Sequence, residues 1–289
     1  EKIKSFKLYS DLSQKILNIG IDRKTIIVGI GGGTLGDLSG FIASTLLRGL
    51  DLILIPTTLL AQVDSSIGGK NGINTRAGKN LVGTFYQPKL VLIDPSFLST
   101  LSKKELLSGY SEIVKHSLIY DKSFFNWLES NSKKLLNLNY DLLSKAIYKS
   151  ISIKKQFVVK DEKEILSNKY SRAILNFGHT FGHALETFYG YKKLTHGEAI
   201  SIGMVIASSI SFKLNYLSHG DFIKVKNHLF NNNLPIEDKN MYNKKVLEII
   251  NNDKKNSNGK INFVLLKNIG KAYLKKNIPL NYLKKIVTN

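Results

Sequence analysis

Three histidines and two glutamates near the middle of the chain are the residues best suited to metal or proton chemistry. They are His179, His183, His196, Glu186 and Glu198. Imidazole is the commonest metal ligand in proteins and its ordinary pKa lies near neutrality, so the cluster indicates a metal site or a proton-transfer site. His179 and His183 are four residues apart, which places them on one face of a helix. The pair alone is more often a pair of ordinary, partly buried histidines, because short motifs have many chance matches.

A glycine-rich turn near the start of the chain is the second candidate site. Thr25 to Ile30 is a β-branched run typical of a buried parallel strand, and a Gly-Gly-Gly-Thr-Leu-Gly-Asp segment follows it at residues 31–37. A helical pattern over residues 38–47 and an apolar strand over residues 51–55 complete the unit. In this context G-x-G-x-x-G favours a dinucleotide site at a helix N-terminus, although glycine turns also arise for steric reasons. Asp51 begins its strand instead of ending it, so it is not expected to bind a ribose.

The segment from Asp64 to Asn80 is long, polar and glycine-rich. Because long ordered loops in compact domains are usually functional, we predict a binding loop here, with a solvated surface loop as the alternative. Lys70 and Lys79 within it could hold phosphate or carboxylate through charge-assisted hydrogen bonds. A last strand over residues 91–95 is predicted to close the first domain near residue 100.

The remainder of the chain has a helical pattern. Ser102 and Glu105 have the spacing of a capping box, which predicts a helix through Ile119. Glu112 and Lys115 share a face of that helix, and an exposed ion pair is the simplest account of them. Further helices are predicted over residues 123–136, 141–160, 181–189, 197–213, 220–231 and 243–251, and a hairpin over residues 261–266 and 272–274.

Composition limits the classes of function. The 289 residues are 43% hydrophobic and 10% aromatic, which indicates a folded protein of about two domains. The absence of cysteine excludes disulfides and thiolate metal sites. A net charge of +20 is typical of nucleic-acid binding, but the lysines are scattered, so no nucleic-acid partner is predicted. The longest apolar stretch, residues 199–212, is too short to span a bilayer, and a cytoplasmic protein without membrane contact is expected.

Together these segments resemble the 3-dehydroquinate synthase family. The matching residues occur in the family's order at 31–37, 56–58, 63–70, 78–81, 87–88, 111–115, 175–186, 196–198 and 253–255. The resemblance implies an α/β, Rossmann-like NAD-binding domain over residues 1–100 and a mostly α-helical metal- and substrate-binding domain over residues 101–289, with the active site between them. The chain opens at Glu1-Lys2-Ile3-Lys4, inside an Asp-Gly-Glu-x-x-Lys motif that contacts NAD in the family. We therefore expect the NAD-binding domain to be N-terminally truncated.

The resemblance also implies roles for individual residues. The metal, zinc or cobalt, is expected on Glu112, His179 and His196, and His183 then handles protons and contacts phosphate. The implied catalytic residues are His183, Lys115, Asp64, Lys70 and Glu164. The implied substrate contacts are Arg48 (from a neighbouring subunit), Asp64, Lys70, Asn80, Lys115, Lys154, Arg172, Asn176, His183 and one of Lys254 and Lys255. The implied NAD contacts are Glu1, Lys4, Gly33, Thr34, Leu35, Gly36, Asp37, Thr57, Thr58, Lys70, Lys79, Phe97, Leu98, Ser99 and Thr100.

The activity implied is conversion of 3-deoxy-D-arabino-heptulosonate 7-phosphate to 3-dehydroquinate and phosphate in the shikimate pathway, by a homodimer that recycles its NAD. Another sugar phosphate cyclase is one alternative, and Lys154 and Arg172 as carboxylate-binding residues favour the acid substrate over it. A metal- and NAD-dependent alcohol dehydrogenase of the glycerol dehydrogenase type is a second alternative. It would release NADH stoichiometrically, whereas the cyclase releases phosphate.

Overall fold

The chain forms two compact units, Glu1–Ser102 and Lys103–Asn289. The computed structural model describes residues 3–76, 78–255 and 262–276, and of residues 252–255 the backbone alone. The first unit is α/β with a small parallel sheet, and the second is mostly helical, as predicted. Within the described ranges, none of the helices combines the length and the apolar character needed to cross a membrane.

The first unit is built on a parallel sheet whose strand order is β1-β2-β5. Its elements are α1 (Phe6–Asn18), β1 (Ile26–Gly31), α2 (Gly33–Thr45), β2 (Asp51–Pro56), β3 (Lys70–Thr75), β4 (Gly78–Phe85) and β5 (Leu90–Val91). Strands β1 and β2 pair from Ile26 opposite Asp51 to Gly31 opposite Pro56. Buried Leu38, Phe41 and Ile42 pack α2 into the core. The glycine turn therefore lies at the carboxyl edge of the sheet, where parallel sheets bind ligands.

The binding loop predicted over residues 64–80 is wrong as a secondary-structure assignment. A short π-helical turn, Ala61–Ser65, leads into an antiparallel hairpin of β3 and β4. The two strands approach closely at Gly72 and Gly83, where a Cβ on Gly72 would lie 2.9 Å from the carbonyl oxygen of Val82. Glycines have low strand propensity and interrupt the alternation of apolar residues, which explains why the hairpin was missed.

Two smaller differences concern the ends of the first unit. Helix α1 was not predicted at all, although its cap is regular, with Ser5 Oγ accepting from the amide of Leu8 at 3.2 Å. The strand predicted over residues 91–95 is only the two-residue β5, and a 3-10 turn, Pro95–Thr100, follows it. Pro95 begins that turn because proline cannot donate to a strand ladder and favours the first position of a helix.

The second unit consists of seven helices and one hairpin among its described residues. They are α3 (Lys103–Tyr120), α4 (Lys122–Leu136), α5 (Tyr140–Lys160), α6 (His179–Phe188), α7 (His196–Lys213), α8 (His219–Asn231), α9 (Lys244–Lys255), β6 (Phe263–Asn268) and β7 (Lys271–Lys275). The helical periodicity predicted each helix to within about four residues, and α9 is the one that continues furthest beyond its predicted end. The predicted hairpin start at Ile261 lies outside the described residues.

Glycines bring α6 and α7 into close contact. A Cβ on Gly203 would clash with the carbonyl oxygen of Gly178 and would lie 3.0 Å from the amide nitrogen of Gly182. A Cβ on Gly182 would in turn lie 3.0 Å from the carbonyl oxygen of Ala199. Gly178 has φ of 83° and immediately precedes α6, a conformation that L side chains rarely adopt. The helix pair therefore has one closest approach, and His179 begins α6 next to it.

We expect Gly203→Ala to destabilise the second unit by about 3 kcal/mol, because the added methyl overpacks a contact between two backbones. Gly220→Ala is the matched control in α8, since a Cβ there comes no nearer than 3.9 Å to another group. Urea denaturation of both variants, followed by a signal from the second unit, measures the free energy of unfolding and checks the difference. Equal stability of the two variants would contradict the close approach.

A buried tyrosine–histidine pair joins α3 to α8. Tyr110 is fully buried, and its hydroxyl lies 2.8 Å from His228 Nε2. Burial, reinforced by the positive charge of Lys224, lowers the pKa of His228 to about 4. Burial likewise raises the pKa of Tyr110 above its ordinary value. His228 is therefore neutral in the folded protein at neutral pH and fits its site only in that form.

We expect acid to destabilise the protein through His228 between about pH 6.5 and pH 4. In that window the unfolded chain binds a proton that the folded chain excludes, so stability is complete above the unfolded pKa and falls by up to about 3 kcal/mol as the pH drops. His228→Gln should weaken this dependence, whereas His219→Gln, an exposed histidine of the same helix, should retain it. Chemical denaturation at several pH values measures both, and an unchanged slope in His228→Gln would rule out this assignment.

Candidate functional site

Three ligand-type side chains from three helices converge in the second unit. Glu112 comes from the middle of α3, and His179 and His196 are the first residues of α6 and α7. Glu112 Oε1 lies 3.8 Å from His179 Nε2 and 3.5 Å from His196 Nε2, and one ligand atom of each residue lies within 4.8 Å of the others. Tetrahedral ligands at zinc bond lengths are about 3.4 Å apart. The donor set therefore fits a zinc-sized ion with a small contraction.

The cluster encloses an ionised carboxylate. Glu112 is fully buried and forms an ion pair with Lys115, which is only 1% exposed, so the exposed pair expected from their spacing is wrong. Burial by itself would raise the pKa of Glu112, but the charge of Lys115, with His196 and His179, holds it well below its usual range. A carboxylate that stays ionised in the interior needs cations around it.

This environment shifts the pKa values of His179 and His196 in opposite directions. Burial, together with the charge of Lys115, holds the pKa of His179 well below its ordinary value, so its ring is neutral and able to bind a metal. Burial would also lower the pKa of His196, but hydrogen bonds to Glu112 and Glu186 raise it to about 10. The two carboxylates thus attract one positive charge to this point. A divalent cation bound there would displace the proton from His196.

His183 and Glu186 form the open side of the cluster. The rings of His179 and His183 are 5.0 Å apart, as expected for a pair on one helix face. The His183 side chain is 60% exposed, and its Nε2 lies 3.9 Å from Glu186 Oε2. Glu186 also lies 3.3 Å from His196 Nδ1, so His183, Glu186 and His196 form a second, more exposed set of possible ligands. Glu186 orients His196 in the way that carboxylates orient metal-binding histidines.

Glu198, the remaining acid of the sequence cluster, has a structural role. Its carboxylate accepts from the backbone amide of Thr195 at 2.7 Å, and Thr195 Oγ1 accepts from the amide of Glu198, which is a capping box. Glu198 also lies 3.4 Å from Lys104 Nζ. The cap fixes the first turn of α7 and therefore the position of His196.

A second group of polar residues surrounds the segment that leads to α6. Lys154 on α5 and Arg172 in a 3-10 turn are 5% and 4% exposed. Arg172 Nη1 donates to the carbonyl oxygen of Glu162 at 2.8 Å, and Asn176 Nδ2 donates to Glu164 Oε1 at 2.9 Å. The structure therefore joins Glu164 to Asn176, two of the residues expected at the site. Lys254 and Lys255 end α9, and their side chains lie outside the described residues.

In the first unit, the glycine turn meets the end of β2. The amide of Thr57 donates to the carbonyl oxygen of Gly31 at 3.0 Å, and Thr58 Oγ1 accepts from the amide of Ala61 at 3.2 Å. Within the described residues, no side chain caps the N-terminus of α2. A Cβ on Gly33 would collide with Ser65 Oγ, so glycine leaves this cradle open without moving that side chain. The turn suits a pyrophosphate bound by amides at a helix N-terminus.

Lys4 connects this turn to the hairpin. It is 3% exposed, its Nζ lies 2.5 Å from Asp37 Oδ2, and it also contacts Asn80 Oδ1. Three residues expected at the site are therefore in one hydrogen-bonded cluster. Asp51 lies at the opposite end of β2, about 16 Å from the glycine turn by the rise of a strand, which confirms that it cannot serve as its ribose acid.

The other expected residues of the first unit are distributed along its edges. Lys70 begins β3, Lys79 lies in β4, and Asp64 lies half-buried in the π-helical turn. Of the 3-10 turn, Leu98 is buried whereas Phe97, Ser99 and Thr100 are exposed. Arg48 is exposed with φ of 67°. Glu1 lies outside the described residues.

The sequence did not single out three residues that hold these groups in place. Buried Gln62 Nε2 donates to the carbonyl oxygens of Pro56 at 3.2 Å and Asp94 at 2.9 Å, which ties the end of β2 to the following turn. Ser108 Oγ accepts from the amide of Gly197 at 3.0 Å, next to His196. Asp161 accepts from three backbone amides at the end of α5. Their residue types are common in exposed positions, so only their burial distinguishes them.

Comparisons with known proteins show which family the chain resembles. Family models described as 3-dehydroquinate synthase N-terminal and 3-dehydroquinate synthase C-terminal match residues 1–108 and 109–256. The 3-dehydroquinate synthase of Thermoanaerobacter pseudethanolicus is 44% identical to this chain over 272 residues, which are 94% of this chain and 75% of that protein. The two models together match far more than half of the chain.

Solved structures show the same fold. ValA, a 2-epi-5-epi-valiolone synthase from Streptomyces hygroscopicus with NAD+ and Zn2+ bound, has a TM-score of 0.90 at 25% identity, covering 100% of this chain and 79% of that one. A 2-deoxy-scyllo-inosose synthase complexed with carbaglucose-6-phosphate, NAD+ and Co2+ has a TM-score of 0.86 at 28% identity, covering 99% of this chain and 80% of that one. With both family models and this relative in agreement, the chain belongs to the 3-dehydroquinate synthase family.

Proposed function

We propose that this protein converts 3-deoxy-D-arabino-heptulosonate 7-phosphate to 3-dehydroquinate and phosphate. The observation that carries the proposal is the buried Glu112, His179 and His196 donor set in a chain of this family. The glycine turn of the first unit supports it, because it suits a dinucleotide. We assign NAD binding, with a Rossmann-like arrangement, to residues 1–100 and metal and substrate binding to residues 101–289.

Two groups outside the polypeptide are part of the proposal. A divalent metal, Zn2+ or Co2+, would polarise a substrate hydroxyl, and NAD would accept and return a hydride. Glu112, His179 and His196 would hold the metal, because they offer one buried carboxylate and two imidazoles in reach of one another. The backbone from Gly33 to Asp37, with Lys4, Thr57, Thr58 and Lys79, would hold NAD. The relatives of known structure carry NAD+ with Zn2+ or Co2+.

The buried cations of the second unit are proposed to bind the substrate's anionic groups. Lys154 and Arg172 are each at least 95% buried, and such charges are retained where an anion or a polar partner offsets the cost of desolvation. Arg172 is suited to a carboxylate because its planar guanidinium can bind both oxygens. Asn176 and Glu164, already joined to one another, would contact substrate hydroxyls.

His183 is proposed to hold or move the proton at the departing phosphate. It is the most exposed imidazole of the cluster, and Glu186 lies beside it at 3.9 Å. An exposed histidine next to a carboxylate can exchange protons with a bound anion, whereas the buried His179 cannot. Lys115 would contact the substrate from α3 and keep Glu112 ionised. Asp64, Lys70 and Asn80 are proposed contacts from the first unit.

Other cyclases of this fold are the principal alternative. The valiolone and inosose synthases are 25% and 28% identical to this chain, compared with 44% for the dehydroquinate synthase relative. The buried Lys154 and Arg172 favour a substrate with a carboxylate over a sugar phosphate without one. We also propose a cytoplasmic homodimer in which Arg48, exposed on its left-handed turn, contacts the neighbouring active site.

The first test concerns the metal ligands. His179→Ala should lose bound metal, since it removes one of three protein ligands, whereas His183→Ala should keep metal and lose turnover by about 100-fold or more. Elemental analysis of purified, zinc-loaded variants measures the first effect and steady-state kinetics the second. Full metal occupancy in His179→Ala, or metal loss in His183→Ala, would instead favour the His183, Glu186 and His196 set.

The second test concerns the reaction. With 3-deoxy-D-arabino-heptulosonate 7-phosphate, NAD+ and Zn2+, we expect stoichiometric release of phosphate and no net absorbance of NADH, because the hydride is returned. Glucose 6-phosphate, which has a phosphate but no carboxylate, serves as the control and should release none. Net NADH formation would indicate a dehydrogenase, and preference for glucose 6-phosphate would indicate another cyclase.

A further inference from the structure

Asp161 begins the segment that leads from α5 to Arg172, and its side chain bonds to the backbone of that segment. It is the C-cap residue of α5 and is 3% exposed. Its carboxylate accepts from the backbone amides of Ile165 at 2.8 Å, Leu166 at 3.1 Å and Arg172 at 2.8 Å. One side chain therefore holds residues at the start of this segment and also Arg172, eleven residues further along the chain. A carboxylate with three amide donors is ionised and strongly held.

The charge state of Asp161 agrees with this role. Burial would raise the pKa of Asp161, but the hydrogen bonds from the amides of Arg172, Leu166 and Ile165 and the charge of Arg172 hold it below its usual value. A second side-chain bond to the backbone holds the same segment, since Ser171 Oγ donates to the carbonyl oxygen of Leu166 at 2.6 Å. The segment is thus a closed, internally bonded loop despite its largely exposed side chains.

Glu164 is held within this loop in a strained conformation. Its φ is 56°, in the left-handed region that glutamate rarely adopts. The residue is flanked by contacts to Asp161, because its own amide donates to the Asp161 carbonyl oxygen at 3.1 Å and the next amide donates to the Asp161 carboxylate. Strained residues persist where the surroundings over-determine them, and such places are often functional. The result is a Glu164 carboxylate that accepts from Asn176 at 2.9 Å.

We infer that Asp161 is a positioning residue that holds Glu164 in its left-handed conformation and Arg172 in its buried site, so that both face the anionic substrate together. This inference rests on the proposed function and deepens it by adding a residue that does not itself touch substrate. The Asp161 carboxylate holds Arg172 through its own amide and Glu164 through the amide of the next residue, Ile165, so the positions of both depend on that carboxylate. In Asp161→Asn, the side-chain NH2 would replace one carboxylate oxygen, so at least one of the three backbone N–H groups would lose its acceptor.

The kinetic test compares Asp161→Asn with Asp121→Asn. Asp121 is a matched control because its carboxylate also accepts from backbone, the amide of Phe124 at 2.9 Å, where it caps α4. Asp161→Asn should lower kcat/KM by about 10- to 100-fold, through a higher KM from Arg172 and a lower kcat from Glu164, since small misplacements of this kind have large effects. Asp121→Asn should change kcat/KM by less than about twofold even though it loses a cap.

A double-mutant cycle separates positioning from general destabilisation. In a Glu164→Gln background, Asp161→Asn should cost several-fold less than in the wild type, because residues that act through one another are not additive. Glu164→Gly should raise the melting temperature by about 2 °C by relieving strain, while still lowering turnover. Additive effects in the cycle, or equal kinetics of the Asp161 and Asp121 variants, would overturn the inference.

A third measurement does not depend on turnover. Hydrogen exchange should show loss of protection at the amides of Ile165, Leu166 and Arg172 in Asp161→Asn and not in Asp121→Asn. Unchanged protection would overturn the positioning role whether or not the protein is active. Wild-type protein that releases no phosphate, with the exchange result as expected, would instead refute the proposed function and leave Asp161 as the residue that orders this loop.

Discussion

The buried carboxylate of Glu112 is the constraint on which the second unit depends. An ionised group in the interior is costly unless cations surround it, and removing one partner from such a group typically costs about 3 to 5 kcal/mol. Lys115 supplies one positive charge from the same helix, and His196 is drawn into its protonated form by Glu112 and Glu186. The site is therefore suited to a cation, and a divalent metal bound there would satisfy the carboxylates and leave His196 neutral.

The backbone geometry around that carboxylate explains why its partners arrive at one point. Both histidines are the first residues of their helices, and the two helices approach each other closely through Gly178, Gly182 and Gly203. The capping box at Thr195 and Glu198 fixes the start of α7. The positions of His179 and His196 are well defined because the backbone around them is held by the close contact between the helices and by the capping box. The imidazoles therefore need little reorganisation to meet a common ligand.

The residues between α5 and α6 follow a different physical rule. Arg172 and Glu164 belong to an irregular segment, where backbone polar groups have no helix or strand to pair with. Asp161 and Ser171 supply the missing partners, so that the segment has a defined shape without regular structure. The strain at Glu164 shows that its conformation is imposed by these bonds and not by local preference. In this molecule, Glu112, His179 and His196 are positioned by helix packing, and Glu164 and Arg172 by side-chain bonds to the backbone.

Much of this protein could be predicted without coordinates. The periodicity of apolar residues predicted α3 to α9 closely, and the β1-turn-α2-β2 pattern predicted the sheet edge at the glycine turn. The spacing of His179 and His183 correctly placed them on one helix face. These features depend on neighbours within a few residues along the chain, so local sequence is sufficient to determine them.

What depends on distant residues required the tertiary structure. The hairpin of β3 and β4 pairs Gly72 with Gly83 across its strands, which local propensity disfavours. Whether Glu112 and Lys115 are exposed or buried is decided by the helices that cover α3, and sequence spacing is the same in either case. The roles of Glu186 and Glu198 were separated in the same way, because one faces His196 across ten residues and the other caps its own helix. The sequence by itself determined most of the elements and, through the family resemblance, the expected set of ligands. Only the packing of those elements decided their burial and the distances between them, since both are properties of the whole fold.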